Sequence, residues 1–255
     1  MIVALLAKTV MVQEVAEEMG YQPHPTGTVS PADELAEVAG RECYQSWHRP
    51  NPGTSTNTGY LANIINHAHY SIFEHASFTF SVREVSRDLT HQLVRHRHLS
   101  PSQSSQRYVD ESHGEVVLPP DLVRLRDHPG ADDSLVYTLL GDLHHDAVEK
   151  YRTIYETLRD LGIPHKRARQ AARYVLPGGH ETRLVISGNV RAWREFLVKR
   201  LGVDELSKQP FADLEIYGLA EHILTILYQE VPNSVQDLWE TYQKNRVVLG
   251  HPATS

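Results

Sequence analysis

At 255 residues, with 40% hydrophobic and 22% charged side chains, the chain is globular in composition and long enough to bury a core without disulfide or metal staples. Its net charge of −7 argues against a general nucleic-acid coat, and no run nears the ~18 apolar residues of a membrane span. A single cysteine, Cys43, permits no internal disulfide, so a cytoplasmic location is expected.

In chain order, the apolar residues 1–7 read as a buried first strand rather than a signal peptide, since no basic segment precedes them. Ser30 as cap and Pro31 at the first turn predict a helix over residues 32–44. Residues 51–58 (NPGTSTNT) read as a loop and 60–66 as a helix. The strict alternation of residues 77–82 predicts a half-buried strand. Ser86 is placed to cap a helix running to Arg97, with Leu89 and Leu93 one turn apart on its apolar face. Pro101 and the nearby serines are expected to break regular structure. Helices are predicted over 133–161, from Pro164 to about Val175, over 190–200 and over 213–230, with a strand at 182–187. The last ten residues, 246–255, read as a loose tail. Strands and helices mix without clean βαβ units, so the expected fold class is α+β, a mainly antiparallel sheet packed with helices, in one catalytic domain over 1–255.

Charge is unevenly spread. Residues 87–108 hold four arginines and one acid, and residues 164–200 hold nine Lys/Arg and two Glu, in an otherwise acidic chain. Two cationic islands suit a small anion better than a long polyanion, although charge alone is equally compatible with two solvated helix faces.

The most informative stretch is Gln92 to Tyr108, QLVRHRHLSPSQSSQRY. On a helix, Gln92, Arg95 and His96 would share a face, and Arg97 would end it. The loop beyond supplies hydroxyls, amides and backbone N–H groups, closed by Arg107. Guanidinium forks grip phosphate bidentately, and loop donors satisfy the remaining oxygens. A serine-rich linker between surface arginines is the plainer reading of the same residues.

Arg95-His96-Arg97, followed after seven residues by Ser105 and then by Arg107-Tyr108, resembles the signature of the flavin-dependent thymidylate synthases. Three further segments resemble that family in the same order: His67 to His75, Arg169 to Pro177, and Thr182-Arg183 with Gly188 to Trp193, ending at Arg200. The resemblance spans about residues 43–200. It implies reductive methylation of dUMP to dTMP, with FAD, NADPH and 5,10-methylenetetrahydrofolate, in a homotetramer that shares its sites between subunits.

By that resemblance dUMP is held by Gln92, Leu93, Val94, Arg95, Gln103, Ser104, Ser105, Gln106, Arg107, Arg173 and Arg200. FAD is held by Ser71, Glu74, Arg95, His96, Arg97, Gln103, Asn189, Val190, Arg191 and Glu195, and His69 lies on the folate side. Arg200 matches the family's catalytic arginine, which polarises the pyrimidine at N3. After Arg200 the chain is about six residues longer than the family pattern, with Phe211 where the pattern has histidine, and Glu195 stands where Asn or His is usual.

Rival readings rest on fewer residues. Cys43, in a helix-like segment, reads as a buried structural cysteine rather than a nucleophile for thiolate attack. His144-His145-Asp146 is similar to the His-Asp pair of metal-dependent phosphohydrolases but reads as a solvated helix face, and no metal site is expected. A non-catalytic phospho-ligand or RNA-binding module would use the same Arg/Ser loop, with few aromatics (Tyr108, Tyr174) to stack bases.

Overall fold

The computed structural model describes residues 1–25, 27–49, 51–125 and 134–250. A four-stranded sheet runs in the order β1-β2-β4-β3, from β1 (Ile2–Lys8), β2 (Ser77–Ser86), β3 (Ser100–Gln103) and β4 (Glu181–Asn189). Strand ends fix the directions. Thr9 N–H donates to Ser77 O at 3.0 Å, Arg87 N–H to His180 O at 3.2 Å, and Ser104 N–H to Arg183 O at 2.9 Å, so each neighbouring pair is antiparallel. The fold class is α+β, as the sequence predicts.

Contacts divide the chain into two compact units. The first comprises residues 1–2, 81–95 and 101–185. It holds α4 (Arg87–Leu93), α5 (Pro120–Leu125), α6 (Ser134–Asp160) and α7 (His165–Ala172), the last followed by a 3-10 turn at Arg173–Val175. Val82, Val85, Leu89, Leu93, Tyr151, Ala168 and Leu184 are buried there.

The second unit comprises residues 3–80, 96–100 and 186–255. It holds α1 (Gln13–Glu18), α2 (Pro31–Tyr44), α3 (Asn57–Asn66), α8 (Val190–Arg200), α9 (Leu214–Glu230) and α10 (Gln236–Val248). Trp193 of α8 is fully buried, edge-on to Phe80 at 5.0 Å, and donates Nε1–H to Phe78 O. Burial of each such aromatic contributes about 1.5–3 kcal/mol. The buried Glu37 carboxylate is well partnered: it accepts from Arg41 Nε (2.6 Å) and Asn57 (2.9 Å) and meets His24 (2.7 Å).

Several expectations need correction. The first strand is not buried, because β1 lies at the sheet edge with Ile2 51% and Leu6 60% exposed. The helix at 60–66 begins three residues earlier, where Thr56 caps Gly59 N–H, so part of the 51–58 loop is helical. Residues 100–103 form β3 despite Pro101, since proline is tolerated on an edge strand. The helix capped by Ser86 stops at Leu93 rather than Arg97. No apolar residue continues its stripe beyond Val94, and Leu99, the next to be buried, is reached through a turn (Leu99 N–H to His96 O, 3.0 Å). Residues 246–248 belong to α10, while 251–255 of the expected tail, and Asp133 of the expected long helix, lie outside the described residues.

Candidate active site

In the first unit, the loop after β3 is built around Ser105. Its carbonyl accepts from Tyr108 and Val109 N–H, both at 2.9 Å, and its hydroxyl takes Arg107 N–H at 3.4 Å. Gln103 donates from Nε2 to the hydroxyls of Thr90 (3.0 Å) and Thr182 (3.2 Å), which fixes its side chain. The Gln106 Nε2 and Arg107 Nε groups are screened from solvent without a protein partner, an expense of about 1–3 kcal/mol for a donor left unpaired. Arg169 braces the loop by donating Nη1–H to Tyr108 O at 2.6 Å.

Arg87 opens α4 directly after its cap, Ser86, whose hydroxyl receives Leu89 N–H. Burial holds the Arg87 guanidinium below its ordinary pKa; Glu111 draws it back up, and the Arg173 cation depresses it further. Arg87, Asp88, Thr90, His91, Val94 and Gln103 line a cleft of about 280 Å³. Arg87 and Arg173, whose charges repel, and the unpaired donors of Gln106, Arg107 and Arg169 all belong to this unit.

Among the other residues expected to hold dUMP, Gln92 is half-buried, Leu93 lies in the core, and Val94 and Arg95 are exposed. Arg95 and His96 do not share a helix face with Gln92, because both lie in the turn beyond α4, where Arg95 N–H donates to Gln92 O at 3.4 Å. Ser104 is held by its backbone bond to Arg183.

The second unit carries most of the residues expected on the flavin and catalytic side; Arg95 and Gln103 belong to the first. Asn189 caps α8, its Oδ1 accepting from Ala192 N–H at 2.8 Å. Val190 is buried, and its N–H is committed to Ala76 O, so it presents no polar group. Arg191 pairs with Glu74, both half-exposed. Ser71, Arg97 and His69 are exposed. Glu195 binds Lys199 at 2.6 Å, which lowers its pKa, and lies 4.0 Å from His98. Arg200, in the last turn of α8, donates Nε–H to His96 Nε2 at 2.9 Å. The exposed cations Arg97 and Arg191, with the Ser71 hydroxyl, are a donor set chemically suited to the pyrophosphate and ribityl oxygens of a flavin nucleotide. The longer segment after Arg200 is a tight hairpin of β5 (Val203–Asp204) and β6 (Gln209–Pro210). Asp204 receives Leu206 N–H and the Ser207 hydroxyl, and Phe211 is 73% exposed.

The rival residues come out differently from the sequence reading. Cys43 is exposed rather than buried, since on the last turn of α2 it is Arg41 that points inward, to Glu37. His144 is not on a solvated face: it is buried against His180, whereas His145 is exposed and Asp146 pairs with Lys150 on the surface. Successive helix positions point in different directions, so the three do not converge. No group of three metal-ligating side chains occurs among the described residues.

Sequence reasoning missed Arg87, Glu111, Arg169 and His180. Arg87 and Arg169 carried a readable signal, one directly after a cap and the other one helical turn before Arg173. Glu111 and His180 carried none, because their pairing depends on tertiary structure.

The family model described as "Thymidylate synthase complementing protein" matches residues 27–233. A protein of Mycobacterium phage L5 named "Probable flavin-dependent thymidylate synthase" is 46% identical over 207 residues, 81% of each chain. Proteins named "Flavin-dependent thymidylate synthase" are 44% identical in Mycolicibacterium vanbaalenii (80% of this chain, 78% of that one) and 43% identical in Mycobacterium marinum (78% and 76%).

Proposed function

This chain belongs to the thymidylate synthase complementing protein family, the flavin-dependent thymidylate synthases, and we propose that its two cationic islands serve the two halves of that reaction. The activity is the methylation of dUMP to dTMP. Bound FAD, once reduced by NADPH, supplies the hydride and 5,10-methylenetetrahydrofolate the carbon, chemistry that no side chain can provide.

Arg87, Arg107 and Arg173, with Gln106 and the Ser105 loop, bind the dUMP phosphate, and Gln103 and Gln92 orient the nucleoside. Arg97, Arg191, Ser71 and Glu74 hold the flavin, and His69 serves the folate side. Arg200 places a permanent cation at the carbonyl edge of the pyrimidine, where negative charge develops before C5 reacts. A preorganised cation at that edge stabilises the charge without solvent reorganisation, so no cysteine nucleophile is required.

The observation that carries this reading is the anion set of the first unit: the desolvated Arg87 cation, repelled by Arg173, with the unpaired Gln106 and Arg107 donors. We also propose one catalytic domain, a cytoplasmic location and a homotetramer. The tetramer is supported by exposed apolar side chains, among them Leu135, Leu139 and Leu143 on one face of α6. No described helix is long and apolar enough to cross a membrane.

The test is an absorption spectrum. Fresh protein is expected to be yellow and to bleach with NADPH when dUMP is present; colourless protein that takes up no added FAD would overturn the proposal.

A further inference from the structure

Arg200 and His96 are joined by a bond whose direction fixes a protonation state. The guanidinium Nε–H donates to His96 Nε2 at 2.9 Å. An arginine has no lone pair to offer, so His96 Nε2 must be unprotonated; a neutral ring then carries its proton on Nδ1. The ring is also held in place, since His96 lies edge-on to Phe196 at 4.9 Å, one helical turn before Arg200 on α8. The surroundings favour the neutral form. Burial pushes the His96 pKa down, Arg200 and Lys199 lower it further to about 4, and Glu195 alone opposes them.

A guanidinium has three hydrogen-bonding edges. Tying down Nε hinders rotation about the Cδ–Nε bond and fixes the plane that carries both Nη groups. Those two groups form a planar pair of donors, the pattern that complements a pyrimidine carbonyl oxygen and an N3 that has given up its proton. A charged His96 would both lose its lone pair and repel Arg200.

We propose that His96 is the positioning residue for Arg200: a neutral acceptor that turns the guanidinium so that its Nη pair meets the substrate pyrimidine. The inference rests on the reading of Arg200 given under Proposed function and deepens it. His96 then acts on the reaction through another side chain, and any flavin contact it makes falls to its Nδ1–H edge.

The test uses the full-length flavin-loaded enzyme. Nitrogen-15 NMR of histidine-labelled protein should find His96 neutral at pH 7 as the Nδ1–H tautomer. In Arg200→Gln its Nε2 signal should shift and its titration midpoint rise. In turnover, His96→Leu removes the acceptor, whereas His96→Gln offers a carbonyl oxygen near the position of Nε2. The expected result is a loss of kcat of roughly 30- to 100-fold in His96→Leu, with KM for dUMP and FAD content nearly unchanged, and recovery of most of it in His96→Gln.

Equal losses in both variants, a loss confined to FAD affinity, or an Nε2–H tautomer in the active wild type would overturn the positioning role. Should His96→Leu fail to fold, the NMR of wild type and Arg200→Gln decides alone. Wild type that binds FAD and dUMP yet forms no dTMP would instead overturn the functional reading, a separable failure.

Discussion

His180 is stacked on His144, with ring centres 5.3 Å apart and a 3.1 Å bond from His144 Nε2 to His180 Nδ1. On its other side His180 Nε2 lies 2.9 Å from the Glu111 carboxylate. With Glu111 ionised, His180 donates Nε2–H to it, and His144 donates Nε2–H to His180 Nδ1, so one tautomer of each ring satisfies the whole buried chain. Gly114 lies directly against this ring. A Cβ there would sit 2.3 Å from His180 Nε2, and the ring is fully buried and stacked on His144. Gly114→Ala should therefore cost about 1–3 kcal/mol through forced repacking. Thermal unfolding would read this as a melting point several degrees lower; an unchanged melting point would mean the ring is free to shift.

The anion set makes a prediction about affinity. Arg107→Ala and Arg87→Ala should each weaken dUMP by about 1.5–3 kcal/mol, the worth of a charge-assisted bond to a phosphate oxygen. Calorimetric titration should show dissociation constants raised roughly 10- to 100-fold, with FAD content preserved. An unaltered constant for either variant removes that arginine from the phosphate site.

Cys43 is exposed on α2 and has no role in the proposed chemistry. Cys43→Ser should retain dTMP formation within about twofold and change stability by less than about 0.5 kcal/mol. A folded but inactive variant would restore the thiolate route.

Acid should weaken the fold through two groups. His96 has a folded pKa of about 4, below the usual imidazole value near 6.5. Its contribution is therefore present above about pH 6.5 and lost progressively as the pH falls toward 4. Glu37 acts in the same direction at lower pH: burial alone would raise its pKa, but bonds from Asn57, Arg41 and His24 bring it below the ordinary value. Asp33 opposes them, because burial lifts its pKa to about 6, so its share is present at low pH and lost as the pH rises through 6. Urea unfolding of wild type and His96→Gln between pH 7 and 4 separates the terms, since the Asp33 and Glu37 shares cancel in the difference. The gap between the two proteins should shrink as the pH falls; a constant gap would contradict the depressed His96 pKa.

Local chemistry made much of the fold legible. Ser30 and Ser86 each accept a backbone N–H at the helix start where a cap was expected, and α8 has the bounds predicted for it. What could not be read depended on partners distant in sequence. β3 exists only because β4 pairs with it, and α10 joins few buried positions to a weak apolar pattern, with Tyr242 its one fully buried residue. The end of α4 differs from the expectation because Arg95 and Arg97 are good helix formers, while Leu99 is buried beyond a turn. At the site, the family resemblance named Arg107, Arg173, Arg200 and His96, but not the bond that joins the last two. A hydrogen bond between residues 104 positions apart leaves no periodic trace.

Asn189 is both the last residue of β4 and the cap of α8, so no spare residue separates strand from helix. An added residue within α8 before Arg200 would swing that side chain by ~100° about the helix axis and carry it ~1.5 Å along it. Downstream of Arg200 the β5–β6 hairpin returns the chain on itself, Phe211 N–H donating to Gly202 O at 3.0 Å. Length variation among relatives should therefore gather at residues 203–210 and avoid residues 189–200: this stretch of the molecule works as a ruler with one elastic end.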